Sequence, residues 1–151
     1  MEIEINNKKL ILATDDIFAM AGKFDAIFLN THGGFNGFHI QFEEFLKVIP
    51  PRPILFGIDK EIRMMSDIIP AATQALDEMN ERGAVNLAMN AFWTCGEDSD
   101  NYKAQGELIK ACIAWLKSKS NATIQSITLV DINPKKNFET AYNDLLLSAK
   151  R

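Results

Sequence analysis

Residues 24–40, FDAIFLNTHGGFNGFHI, join an apolar run to a cluster of three glycines, Gly33, Gly34 and Gly37. Glycine tolerates positive φ angles, so consecutive backbone N–H groups in such a loop can converge on phosphate oxygens. A helix that begins after the loop would add the partial positive charge of its N-terminus. The stretch therefore predicts an anion-binding loop, and the alternative is a strand-to-helix turn that needs glycine for its shape alone.

Two polar side chains before this loop, Asp16 and Asn30, are candidates for ligand contacts. Asp16 precedes a short helix or turn; its carboxylate can accept a hydrogen bond from a ligand, or it can serve as a helix N-cap. Asn30 ends the apolar run, and its amide can orient a ligand hydroxyl or a water. The alternative for Asn30 is a local role, in which its side chain satisfies backbone groups at the strand end.

His32 and Cys95 indicate a different chemistry, in which an imidazole base activates a thiol nucleophile. A strand followed by His-Gly and a later strand followed by Cys is similar to the arrangement in caspase-like cysteine peptidases. The Gln-Ala-Cys signature of caspases is absent around Cys95. A His32–Cys95 hydrolase therefore remains a third hypothesis.

Metal-binding patterns are absent from the sequence. The two histidines, His32 and His39, have a spacing that matches no zinc motif. The acidic segment 96–100, GEDSD, lacks the full ligand pattern of a calcium loop. It predicts a solvated loop in which Ser99 or Asp100 caps the next helix. We therefore expect neither a metal nor a cofactor.

Composition narrows the class of protein. A chain of 151 residues suits one domain, and 47% hydrophobic with 24% charged residues is typical of a soluble globular protein. The net charge of −4 argues against nucleic acid as a partner. No apolar run approaches the roughly 20 residues of a membrane helix. Two cysteines give no disulfide framework, so we expect a cytoplasmic protein.

Apolar periodicity predicts helices that alternate with short strands. A strand or hairpin is predicted at 2–14, and strands at 24–31, 52–58, 84–93 and 122–132. A short helix or turn is predicted at 15–23, and helices at 38–49, 68–83, 99–120 and 137–150. Such alternation is typical of an α/β domain with a largely parallel sheet. Ligands of these sheets lie beyond the carboxyl ends of the strands, which here directs attention to the loops after Thr31, Trp93 and Ile132.

The order of elements and several local motifs resemble the macro domain family of ADP-ribose binders. DDI at 15–17 lies where that family has Gly-Asp-Ile, and DAIFLNT at 25–31 matches its Asp-Ala-Ile-Val-Asn-Ala-Ala-Asn strand end. HGGFNG at 32–37 resembles the first phosphate loop of the family. NAFWTCG at 90–96 corresponds to its Pro-Ala-Leu-Gly-Thr-Gly loop, and 127–146 resembles its final strand and helix.

The resemblance implies a single domain over 1–151 with a three-layer α/β/α fold and a mixed, largely parallel central sheet. It also implies a ligand, ADP-ribose or a related nucleotide metabolite, and a set of ligand-binding residues. Asp16 would contact adenine and Asn30 a ribose hydroxyl or a water; Gly33, Gly34 and Gly37 would form the first diphosphate flank, and Thr94, Cys95 and Gly96 the second. Trp93 and Cys95 replace glycines of the family, and Ile132 replaces an aromatic residue that often stacks on adenine.

Catalysis is left open by the resemblance. Hydrolysis of an ADP-ribose linkage would require Asn30 or Asp98 to position a water, and no catalytic residue is assigned. A second hypothesis keeps the fold without a working nucleotide site, so that the chain is an interaction or structural module, with a homodimer as one form. In that case Trp93 or Phe35 would fill the cleft. Both hypotheses place the loops after Thr31 and Trp93 at the same end of the sheet.

Overall fold

The computed structural model describes residues 1–30, 55–58, 62, 64–91 and 101–150. Within these residues six strands form one sheet in the order β1-β2-β6-β5-β3-β4. The strands are β1 (Glu2–Ile5), β2 (Lys8–Thr14), β3 (Ala26–Leu29), β4 (Leu55–Ile58), β5 (Asn86–Asn90) and β6 (Ser126–Asp131). The helices are α1 (Ile17–Met20), α2 (Ile68–Glu81), α3 (Asn101–Ser118) and α4 (Phe138–Ala149), with short 3₁₀ turns at Ala21–Lys23 and Met65–Asp67.

The first two strands form a hairpin, as one of the two sequence interpretations predicted. β1 and β2 pair antiparallel, and Ile5 lies opposite Lys8 across a two-residue turn. The turn residues Asn6 and Asn7 have φ angles of 55° and 63°. Two consecutive positive φ angles define the type I′ turn, whose twist matches that of paired strands, and asparagine tolerates this conformation better than most residues.

All other strand pairs in the described sheet are parallel, and its strands β3, β5 and β6 are buried on both faces. One face belongs to a continuous apolar cluster that includes Leu10, Leu12, Ala26, Phe28, Leu87, Met89, Ile127 and Leu129. The alternate residues Ile27, Leu29, Ala88 and Val130 are also buried, and they point to the opposite face because strand side chains alternate. The predicted α/β class with three layers and a mixed, largely parallel sheet is confirmed.

The carboxylate of Asp25 holds the amino ends of β3 and β5 together. Its Oδ2 accepts a hydrogen bond from the Val85 N–H at 3.0 Å, and its Oδ1 accepts one from the Asn86 N–H at 2.5 Å. The Leu55 N–H donates to the Asp25 carbonyl at 2.9 Å, which brings β4 into the same arrangement. Because the register is fixed here, the carboxyl ends of these strands lie side by side at the opposite edge.

Helix α2 ends at Glu81 and is followed by Gly83 at the C′ position. Gly83 has a φ of +89°. The N–H of Gly83 donates to the Asn80 carbonyl at 3.1 Å, and the N–H of Ala84 donates to the Met79 carbonyl at 3.0 Å. These two bonds form a Schellman motif, which satisfies carbonyls at the helix end and turns the chain into β5.

The apolar stripe predicted on α3 faces the core. Leu108, Ile109, Cys112 and Leu116 have no exposed surface. Trp115, on the same helix, donates its indole N–H to Asp77 Oδ1 of α2 at 2.8 Å, so α2 and α3 are joined by a polar contact as well as by packing. Burial raises the pKa of the Cys112 thiol from an ordinary value of 9.0 to about 12.

The raised pKa of Cys112 gives a prediction on alkaline stability. The thiol stays neutral in the folded protein at pH values where it ionises in the unfolded chain, so its contribution is fully present below pH 9.0 and is lost as the pH rises toward about 12. The unfolding free energy should fall by up to about 1.4 kcal/mol more per pH unit than in Cys112→Ala. Urea denaturation of both proteins at pH 8 to 10.5 measures the difference, and parallel pH profiles would contradict it.

No helix in the described parts of the chain is long and apolar enough to cross a membrane.

Candidate functional site

The carboxyl ends of β2, β6, β5 and β3 lie next to one another along one edge of the sheet. In this order they bring Asp16, Ile132, Asn90 and Asn30 to the same edge. The β2–β6 pairing continues past the strand ends, because the Asp15 N–H donates to the Asp131 carbonyl at 2.9 Å. β3 and β5 are parallel neighbours, so the chain leaves both strands at this edge, as the sequence predicted.

Asn90 joins the ends of β5 and β3 through its side chain. Its Oδ1 accepts a hydrogen bond from the Asn30 N–H at 2.6 Å, and its Nδ2 donates to the Asn30 carbonyl at 3.0 Å. The backbone pairing of β3 with β5 ends at Phe28 opposite Met89, one residue before Asn90. The amide of Asn90 therefore replaces a backbone partner and fixes Asn30, which is 4% exposed, where the glycine segment begins.

Asn90 is a site residue that the sequence patterns did not predict. The available signal was a polar amide at the end of an otherwise apolar strand, directly before Ala91. A side-chain amide carries an acceptor oxygen and a donor N–H on one planar group. It can therefore make the same two hydrogen bonds as a backbone residue of a neighbouring strand.

Asp16 lies at the start of α1. Its carbonyl accepts the first helical hydrogen bond, from the Met20 N–H at 3.1 Å, and its own N–H donates to the Asp15 carboxylate at 2.7 Å. Asp16 is thus at the predicted N-cap position, and the residue is exposed at the edge of the sheet. Asp15, Asp16 and Asp131 together make the β2–β6 end of the edge acidic.

The segment that follows β6 presents Ile132 to solvent. The Asp131 carboxylate accepts from the Asn133 N–H at 3.2 Å and from the Nε2 of Gln105. Gln105 also donates to the Lys136 carbonyl at 3.3 Å, so this side chain of α3 ties both ends of the segment to the helix. Ile132, held between these contacts, is 71% exposed, whereas apolar side chains of its size are mostly buried.

Gln105 is the second residue that sequence analysis missed. It is 2% exposed, and its Oε1 is buried with no hydrogen-bond partner among the described residues. A buried acceptor without a partner costs about 1–3 kcal/mol, and native proteins keep few of them. A polar residue in an apolar helix stripe was the only sequence signal.

The remaining sequence-predicted site residues lie outside the described residues. They are Gly33, Gly34, Gly37, Thr94, Cys95 and Gly96. The residues of the alternative hypotheses, His32, Phe35, Trp93 and Asp98, and the helix predicted at 38–49 also lie outside them. Among the described residues no group of three or more His, Cys, Asp or Glu side chains is placed to hold a metal ion.

The chain has the macrodomain fold. It superimposes with a TM-score of 0.73 on a variant of the Oceanobacillus iheyensis macrodomain with ADPR, covering 100% of this chain and 99% of that one at 10% identity. The same macrodomain with ADP gives a TM-score of 0.71 over 98% of this chain and 97% of that one at 12% identity. The Trypanosoma brucei macrodomain in complex with ADP-ribose gives 0.60 over 90% and 68% of the two chains at 11% identity.

No protein-family model matches the sequence, and no curated protein matches it either. At 10–12% identity the likeness to the solved structures establishes the fold alone.

Proposed function

We propose that this chain is a single macro-type domain that binds ADP-ribose or a related nucleotide at the carboxyl edge of β2, β6, β5 and β3. The observation that supports it most is the Asn90–Asn30 contact, which joins the ends of β5 and β3 beside the exposed Asp16 and Ile132. The edge is also where parallel sheets hold their ligands. Macrodomains of the same fold have been solved with ADP and ADP-ribose.

Adenine is assigned to the β2–β6 end of the edge. Asp16 offers an exposed carboxylate that can accept from an exocyclic amino group, and a charge-assisted hydrogen bond of this kind is about twice as strong as a neutral one. Ile132 offers an exposed apolar surface of the kind that a flat base can cover.

The diphosphate is assigned to the β5–β3 end. Asp15, Asp16 and Asp131 make the opposite end acidic, and like charges at about 4 Å repel by about 1 kcal/mol in water and by more near a protein surface. At the β5–β3 end, the resemblance supplies two loops with backbone N–H donors, at Gly33, Gly34 and Gly37 and at Thr94, Cys95 and Gly96. We therefore assign the diphosphate to the end at which the resemblance supplies these donors.

The proposal covers binding and leaves hydrolysis unassigned. Of the two residues that could position a water, Asn30 is 4% exposed and Asp98 lies outside the described residues. Binding and turnover are separable experimentally, because ADP-ribose itself contains no protein linkage to cleave.

Calorimetric titration of ADP-ribose tests the proposal. We expect one site per chain and at least about tenfold weaker binding in Asp16→Ala, because one charge-assisted hydrogen bond is worth about 1.5–3 kcal/mol. Glu81→Ala, which removes the same charge from an exposed position at the end of α2, should bind like the unchanged protein. Absence of heat at millimolar ADP-ribose would reject the proposal and favour the interaction module.

A further inference from the structure

A groove away from the carboxyl edge runs between α3, α4 and β1, with a volume of about 550 Å³. Seven of its lining residues carry no charge, and two are lysines on α3. They are Ile3, Ile5, Ile113, Ala114, Tyr142, Leu145 and Leu146, with Lys110 and Lys117. The groove lies toward the β1–β2 turn, because Asn6 Nδ2 of that turn donates to the Leu116 carbonyl at 3.4 Å.

The apolar surface of the groove is accessible. Leu146 is 44% exposed, and the adjacent Leu147 on α4 is 58% exposed. Ile3 and Ile113 are partly buried against the core and keep part of their surface outside it. These side chains leave an accessible apolar surface along the groove, which a bound partner can remove from water.

The rim on α3 is basic. Lys110 and Lys117 are seven residues apart, which is two helical turns or about 10.5 Å along the axis. The Lys110 ammonium pairs with Glu107 at 3.0 Å. Lys117 is exposed, and no ion pair of its ammonium occurs among the described residues. Its charge is therefore available to a partner.

A second copy of the chain fits this region poorly. β1 lies at one end of the described sheet, so two copies could pair through it. Antiparallel pairing of β1 about a two-fold axis would place Glu2 opposite Glu4, or Glu4 opposite itself, and like charges in directly opposed positions are destabilising. The charge pattern of the edge strand thus opposes self-association and leaves the groove to a different chain.

We infer that this groove binds an acidic amphipathic helix of a partner protein. An apolar floor bounded by Lys110 and Lys117, two helical turns apart, matches a helix with apolar residues at i, i+3 or i+4, and i+7, and carboxylates beside that stripe. The apolar stripe supplies the buried area, and the pair with Lys117 fixes the direction and register of the bound helix. This surface is separate from the nucleotide edge.

Fluorescence anisotropy with a designed peptide tests the inference. The probe is a labelled 18-residue helical peptide with leucines at the stripe positions and glutamates beside them, compared with the same peptide carrying lysines instead of the glutamates. We expect the acidic peptide to bind at least tenfold more tightly. Lys117→Glu should reverse the preference, and Lys135→Glu, an exposed lysine on the segment after β6, should leave it unchanged.

Leu146→Asp is a second test variant. It removes apolar surface from the groove and adds a charge that repels the acidic peptide, so binding of that peptide should become undetectable. Equal binding of both peptides, or no binding of either, would overturn the inference. So would a dimer in sedimentation equilibrium that Leu146→Asp dissociates, because the occupant would then be a second copy. All measurements are made without ADP-ribose, so they are independent of the proposed nucleotide site.

Discussion

Replacing Asn90 with alanine should lower the unfolding free energy by about 2–4 kcal/mol and abolish ADP-ribose binding. The substitution leaves both the N–H and the C=O of Asn30 without the partners they have at 2.6 and 3.0 Å. Each buried backbone group that loses its partner costs about 1–3 kcal/mol, and Asn30 is 4% exposed. Urea denaturation measures the stability, and calorimetry at a concentration where the unchanged protein is saturated measures the binding.

Asn86→Ala is the matched control, because Asn86 lies on the same strand at the opposite edge. Its Oδ1 accepts one hydrogen bond, from the exposed Ser126 hydroxyl at 2.9 Å, so its removal should cost less than about 1 kcal/mol. Asn90→Asp keeps the acceptor for the Asn30 N–H and loses the donor. Its loss of unfolding free energy should lie between those of Asn90→Ala and Asn86→Ala. Equal losses in Asn90→Ala and Asn86→Ala would mean that the Asn90 side chain has no special role at the site.

Gly57→Ala should destabilise the protein by about 1–3 kcal/mol, the usual range for overpacking a well-packed core. Gly57 lies on β4 opposite Phe28, and a Cβ there would approach Phe28 Cδ2 to 2.6 Å and Met79 Sδ to 3.0 Å. Phe28 and Met79 are both buried in the same apolar cluster, so neither side chain can move aside without disturbing its packing. Thermal and urea denaturation both measure this loss.

Gly106→Ala should change the stability in the opposite direction and stabilise the protein. Gly106 lies inside α3, and the nearest atom to an added Cβ, Leu145 Cδ2, is at 3.8 Å, an ordinary contact. Alanine is favoured over glycine in a helix interior by about 1 kcal/mol, so this variant should be more stable than the unchanged protein. If Gly57→Ala is as stable as the unchanged protein or more stable, the close approach of Phe28 to Gly57 is not as described.

Local sequence patterns were sufficient for most of the fold. β3 was recognised because Ala26–Leu29 are apolar without alternation, which is typical of a strand buried on both faces. The end of α2 was recognised because Gly83 follows an apolar periodicity of helical spacing, and a glycine at that position can take the positive φ it has here. Each of these two sequence patterns lies within a few residues of the strand or helix end that it predicts.

The missed residues act over long separations in the chain. Asn90 contacts Asn30 across 60 residues, and Gln105 contacts Asp131 across 26. Neither contact can be read from periodicity, because it depends on which strands are neighbours in the sheet. The order β6-β5-β3 determines that an amide on β5 meets the end of β3, and this order was not available from the sequence alone. The same holds for Asp25, whose carboxylate meets Val85 and Asn86 on the neighbouring strand.

Backbone amide NMR during an ADP-ribose titration tests most directly that the nucleotide binds at the carboxyl edge of the sheet. The largest shift changes should occur at Asp16, Asn30, Ala91 and Ile132, which lie on four neighbouring strand ends. Amides of Asn86 at the opposite edge and Lys117 beside the α3–α4 groove should stay unchanged. Saturating shifts centred on Asn86 or Lys117, or no shifts at millimolar ADP-ribose, would contradict the proposed site.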